Sequence, residues 1–287
     1  MDWRLVREEE LRGPEAMAYD EVAAETVAAG GPATVRVYRW VPSTVSLGYG
    51  NDAAIVDWDH CAARDVDVTR RPTGGGAIYH DTTGDVAYSI IAPADEFPGD
   101  VTDSYRRLLE PVLAAFAAIG VDVDFAAAEL EAVWQPLCYL REVDPTHDLT
   151  GPDGRKIAGN AQYRTREAIV QHGSLTFHAD ADRHLGCFVD PPVDANDFDA
   201  RVCGADEWLE DTGEVETGAG AGADAGARSD SDLPRSRFVS ELEDSLAEWA
   251  DATEGEWTDD ERRRARELVE AKYGNDEWVR ERTDPTG

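Results

Sequence analysis

Val66 to Thr69 reads as a strand, and it runs without a break into Arg70-Arg71-Pro72-Thr73-Gly74-Gly75-Gly76. That junction constrains the fold most. A strand ending on three residues without Cβ atoms becomes a loop that reaches positive φ freely and lets a ligand approach the main chain. Its N–H groups can then face phosphate or carboxylate oxygens, with Arg70 and Arg71 supplying charge. Glycine triplets also make plain turns, and the run alone does not separate the two readings.

Around this loop the chain alternates helix and strand signals. Pro14 to Ala28 predicts an amphipathic helix stopped at Gly30-Gly31-Pro32, followed by a strand through Val35, Val37 and Trp40. Thr44 to Gly48 predicts a short strand, Cys61 to Arg64 part of a helix, and Val86 to Ala92 an alternating strand. Val101 to Ile119 has the apolar spacing of a long helix, and Lys156 to Gln162 with Ala168 to Phe177 predicts a hairpin of the same sheet. Arg237 to Ala252 and Asp259 to Tyr273 read as helices, the second opened by a Thr258–Glu261 capping box. Met1 to Arg4 leads into acidic, helix-like sequence. The Gly/Ala-rich stretch at 212–232 reads as a flexible insertion in a single domain spanning 1–287.

Sixty acidic residues against 27 basic ones give a net charge of −33, and the only lysines are Lys156 and Lys272. With eight tryptophans and 42% hydrophobic residues this is a salt-adapted globular composition, which predicts a halophilic source. It disfavours nucleic acid and anionic membranes as partners. No apolar run approaches twenty residues, so neither a leader nor a span is expected, and a cytoplasmic location is. Cys61, Cys138, Cys187 and Cys203 are scattered without metal-ligand or disulfide spacing, so no metal site is expected. A lysine kept inside Gly154-Arg155-Lys156-Ile157 where arginine has replaced nearly all others points to a role a guanidinium cannot fill. Lys272 reads as a cap on the last carbonyls of its helix.

Several separated motifs occur in one order: Ala16-Met17-Ala18-Tyr19-Asp20-Glu21, Val45-Ser46-Leu47-Gly48-Tyr49-Gly50-Asn51, the arginine–glycine run through Ala77-Ile78-Tyr79-His80-Asp81, and Gly154 to Gln162 followed by Gln171-His172-Gly173-Ser174-Leu175. Lys272-Tyr273-Gly274-Asn275-Asp276-Glu277-Trp278 follows them. Together they resemble the lipoate–protein ligase and octanoyltransferase family, related to biotin–protein ligases, in a haloarchaeal-type member. The resemblance implies an α+β fold with a mixed, largely antiparallel sheet flanked by helices. It also implies ligand binding by Arg71, Gly74, Gly75, Gly76, Ala77, Ile78, Tyr79, His80, Asp81, Gly159, His172 and Gly173, with Lys156 on the activated carboxyl and α-phosphate oxygens. Val45, Leu47 and Ile78 are candidates for an acyl tunnel or for ordinary core. His80 with Asp81 invites a base–orienter reading, or plain hydrogen-bonded structure.

Two chemistries share that family. The preferred expectation is a lipoate–protein ligase that uses ATP with Mg2+ to form lipoyl-AMP and then acylates a lysine. The acceptor is the lipoyl domain of a 2-oxoacid dehydrogenase E2 or a glycine-cleavage H protein. Gly76 and Tyr79 favour it, since octanoyltransferases of the family usually carry arginine at the third glycine. Many ligases carry an accessory C-terminal domain, so a ligase here implies a separate accessory subunit. The alternative is transfer of octanoate from acyl carrier protein through Cys138, which lies shortly before Lys156, about where the transferases place their nucleophile; a buried inert thiol is the plainer reading of that cysteine. A non-catalytic lipoyl-binding protein is the option from another class.

Overall fold

The computed structural model describes residues 1–209 and 232–285. In chain order its main elements are β1 (Trp3–Leu11), α1 (Gly13–Ala28), β2 (Ala33–Trp40), β3 (Thr44–Leu47), α2 (Trp58–Ala63), β4 (Asp67–Arg70), β5 (Ile78–His80), β6 (Asp85–Pro93) and α3 (Val101–Ala118). There follow β7 (Asp124–Phe125), β8 (Leu149–Thr150), β9 (Lys156–Arg164), β10 (Ala168–Thr176), α4 (Ala181–Gly186), α5 (Ala195–Asp199), α6 (Asp232–Ala250), β11 (Thr253–Glu254), α7 (Asp259–Leu268) and α8 (Asp276–Val279). The expected insertion at 212–232 falls outside the described residues, except where α6 begins.

The fold is α+β. Eight strands form one sheet in the order β11-β1-β2-β6-β10-β9-β8-β7. β1 runs parallel to β2 and β11, and the remaining neighbours pair antiparallel, including the predicted β9–β10 hairpin. One face is covered by α3 and α6, whose Leu108, Val112, Phe238 and Leu242 pack on Val35, Val37 and Tyr88. On the other, α1 and α7 bring Met17, Val22 and Leu268 against Tyr38 and Trp40. A small sheet, β4-β3-β5, stands beside this layer over its own core of Val45, Leu47, Leu137, Leu140 and Phe198.

Two expectations need correction. The acidic N-terminal segment is a strand, because Leu5, Val6 and Leu11 are buried and its glutamates find partners in the fold. Glu8 pairs with Arg235 at 2.8 Å and Glu9 accepts from Trp257 Nε1 at 2.7 Å, so tertiary pairing overrides glutamate's helix preference. Lys272 does not cap its helix. Its ammonium bridges Glu21 (3.0 Å) and Asp284 (2.8 Å) over the Trp278 ring, while Gly274 N–H caps Val269 O. The Thr258–Glu261 capping box is present as read.

Candidate active site

The glycine loop is held against protein backbone. Ala77 N–H donates to Pro136 O at 2.7 Å and Cys138 N–H to Ala77 O at 2.8 Å, so residues 136–138 run alongside the loop like a short parallel strand. That approach needs glycine at 76: a Cβ there would sit 2.5 Å from Cys138 N and 2.7 Å from the Leu137 carbonyl carbon. Gly75 has φ +92°, a conformation side chains resist.

Arg71 is what the loop is wrapped around. Its five N–H bonds go to Thr73 Oγ1 (3.2 Å), Ser46 O and Oγ (2.9 Å each), Gly74 O (3.1 Å) and Gly76 O (2.7 Å). Both hydroxyls continue inward. Thr73 Oγ1 meets His172 Nε2 at 2.9 Å, and His172 Nδ1 meets Asp20 at 2.9 Å; Ser46 Oγ meets His80 Nε2 at 2.8 Å, and His80 Nδ1 meets Asp85 at 2.6 Å. With the arginine donating to each hydroxyl, the hydroxyl proton is free to turn to Nε2 in the tautomer that gives the ring proton to the carboxylate. Two Asp–His pairs thus stand behind one buried cation, and Asp20 also holds Arg36 at 2.8 Å. Burial pushes the Asp20 carboxyl up, but Arg36 and His172 outweigh it and hold it below the ordinary range. Burial lowers His80 below the ordinary imidazole range, against the pull of Asp85. Asp81 is not the orienter of His80, since neighbours on a strand point to opposite faces. Asp81 instead accepts from Thr83 N, Gly84 N, Tyr79 OH and Arg183. Arg70 carries no free charge to a ligand either: it spends itself on the carbonyls of Gly48, Tyr49, Asn51, Trp278 and Val279, and burial brings it down to about 10.

The loop opens on a cleft of about 560 Å³ that holds the chemistry. Lys156 begins β9 with its ammonium buried, donating to Asp148 Oδ1 at 2.7 Å and to Cys138 O at 2.9 Å, which leaves a third N–H unspent among the described residues. Asp148 is itself fixed by Asp144 N–H at 2.9 Å. Cys138 lies across from Gly159, where a Cβ would come within 2.8 Å of its sulfur. Met17, Tyr38, Trp40 and Ile78 give the apolar wall.

Of the expected residues, Arg71, Gly75, Ile78, His80, Cys138, Lys156, Gly159, His172 and Gly173 line this cleft; Gly74, Gly76 and Ala77 sit behind it in the loop. Tyr79 and Asp81 line a separate cavity of about 330 Å³ beside His184. Val45 and Leu47 are core. A Cβ at Gly173 would collide with Tyr88 at 2.5 Å, so the bare face of that residue is taken up by protein. Sequence reasoning missed Asp148, His147, Arg141 and Asn160, which line the cleft from the loop before β8 and from β9. In a chain with sixty acidic residues nothing marks Asp148 as buried.

The lipoyl protein ligase A/B catalytic domain model matches residues 12–210. The chain belongs to that family. An octanoyltransferase LipM of Symbiobacterium thermophilum is 31% identical over 96% of this chain and 97% of its own length. Among solved structures, a lipoate-protein ligase A bound with ATP is 24% identical, covering 98% of this chain and 99% of that one, with a TM-score of 0.73. A bi-partite lipoate protein ligase from Thermoplasma acidophilum, described with its E2 lipoyl domain, is also 24% identical, covering 98% and 96%, with a TM-score of 0.71. These two carry the fold. The sequence relatives are bacterial, so the haloarchaeal-type expectation of this family member rests on composition alone. Among the described residues no helix is long and apolar enough to cross a membrane.

Proposed function

We propose that the protein is an acyltransferase that takes octanoyl from a carrier thioester onto Cys138 and passes it to a lysine of a lipoyl domain. The supporting observation is the setting of Cys138: its backbone is clamped by the glycine loop, its thiol faces Gly159 in the cleft, and the Lys156 ammonium touches its carbonyl oxygen at 2.9 Å. The relatives' name points the same way. The third Lys156 N–H, unspent among the described residues, is available to an oxygen that becomes negative during attack. Sulfur bonds to the acyl carbon, the carrier's sulfur leaves, and the proton given up by Cys138 goes with it. The acyl chain then lies along Met17, Trp40 and Ile78 until an amine displaces the cysteine.

The ligase reading keeps one specific observation: Gly76 has no room for the arginine usual in the transferases, because the Cys138 backbone occupies that space. There lipoate and ATP would be the substrates, Mg2+ would arrive with the nucleotide, and Lys156 would meet the carboxylate and α-phosphate oxygens. Intact mass of the full chain offered octanoyl-carrier thioester without ATP separates the two. An octanoyl adduct that disappears in Cys138→Ser is the expected result. No adduct, together with lipoyl-AMP formed from lipoate and ATP, overturns the transferase.

A further inference from the structure

Acyl transfer to a lysine needs a base, because the acceptor arrives as an ammonium and only the free amine has the electron pair to attack. The cleft residues already described do not fill that role. Lys156 is a cation in an ion pair with Asp148, and Asp148 is spent on Lys156 and Asp144 N–H. Among the six histidines, His80 and His172 are buried with both ring nitrogens bonded to carboxylate and hydroxyl. His184 is buried among Tyr79, Tyr139 and Phe198 in the other cavity, and burial takes it down to about 3. His60 lies on α2, and His178 pairs with Asp206 outside the cleft.

His147 differs from all of these. It lines the cleft, its side chain is 33% exposed, and neither ring nitrogen makes a hydrogen bond among the described residues. Its Nε2 lies 4.0 Å from the same Asp148 oxygen that holds Lys156 Nζ at 2.7 Å, so the imidazole stands one carboxylate away from the ammonium beside Cys138. Its Nδ1 lies 3.8 Å from Asp144 Oδ2, its ring is tilted 30° to Tyr105 at 5.3 Å, and its carbonyl is pinned by Asn160 Nδ2 at 3.0 Å. The backbone is therefore fixed while the ring remains open to an incoming group.

We propose that His147 is the general base that deprotonates the acceptor lysine. The proposal rests on the acyl-transfer reading above and adds a catalytic residue to its second half. His147 Nε2 takes one proton from the acceptor ammonium. The freed amine bonds to the acyl carbon, the carbon–sulfur bond of acyl-Cys138 breaks, and the amine's second proton goes to the leaving sulfur. His147 then returns its proton to solvent. The charged and titratable groups facing the ring are Asp144, Asp148 and Tyr105, with Lys156 beyond Asp148 and Arg141 on the cleft wall.

The test uses the full chain and His147→Gln, with thermal unfolding compared first. Octanoyl-carrier thioester loads the enzyme, and the adduct is then discharged onto a lipoyl domain or onto hydroxylamine, a nucleophile already unprotonated at neutral pH. The expected result is loading at the wild-type rate, discharge to the lipoyl domain slowed by about 10²-fold or more, and discharge to hydroxylamine within a few-fold of wild type. Equal losses with both nucleophiles, or no loss with either, overturn the proposal. If wild type forms no adduct, the thioester reading fails. The same pair of acceptors is then offered octanoyl-adenylate on both proteins, where equal losses, or none, again overturn the base role.

Discussion

Replacing Gly159 with alanine tests whether the cleft holds the Cys138 thiol in place. The new Cβ would lie 2.8 Å from Sγ, whereas ordinary contact begins at 3.4 Å, so the sulfur must retreat by roughly 0.6 Å or rotate away. The obstruction is the end of a one-bond side chain, so the stability cost falls at the low end for overpacking, about 1 kcal/mol. The rate cost is larger, since a displacement approaching an ångström at the reacting atom is worth about 10²-fold. Acyl-adduct formation by intact mass reads the rate, and thermal unfolding reads the stability. Cys138→Ala in the same background removes the obstruction and should recover the lost stability, giving a coupling of about 1 kcal/mol. Wild-type loading by Gly159→Ala, or a stability loss that Cys138→Ala leaves in place, refutes the geometry.

Lys156→Met leaves Asp148, which is 2% exposed, as a buried charge without its partner, at a cost of about 3–5 kcal/mol; adding Asp148→Asn should restore much of it. Equal denaturant midpoints for single and double variants would sink that account. Burial brings His184 down to about 3 in the fold, against 6.5 for a solvated imidazole, so as pH falls the unfolded chain binds the proton first. Stability therefore declines from pH 6.5 toward 3 and levels below, and His184→Phe should flatten that decline by about one proton in urea titrations. A net charge of −33 predicts a thermal midpoint that climbs as potassium chloride is raised to about 2 M, where screening extends only a few ångströms. A midpoint indifferent to salt would refute the salt-adapted reading.

The long helices, the β9–β10 hairpin, the glycine loop at a strand end and the singularity of Lys156 were legible along the chain. Each depends on local periodicity, capping or a residue type out of keeping with the composition. Met1 to Leu11 misled because glutamates favour helix locally, and only pairing with β2 and the partners Arg235 and Trp257 make it a strand. Arg71 was seen as a ligand contact, yet its donors are spent on the loop and on Ser46, and two of the hydroxyls it meets lead on to Asp20 and Asp85 from distant parts of the chain.

By itself, then, the sequence determined the family, the long helices and central strands, and the motifs that converge, since these follow from short-range pattern. Which groups meet was decided only in three dimensions. Cys138 lies 18 positions from Lys156, whose ammonium meets its carbonyl, and His147 Nε2 lies 4.0 Å from the Asp148 oxygen that holds the same ammonium, because β9 and the preceding loop fold onto the glycine turn. Burial and the spending of hydrogen-bond donors depend on what packs around a side chain, and no spacing along the chain records that.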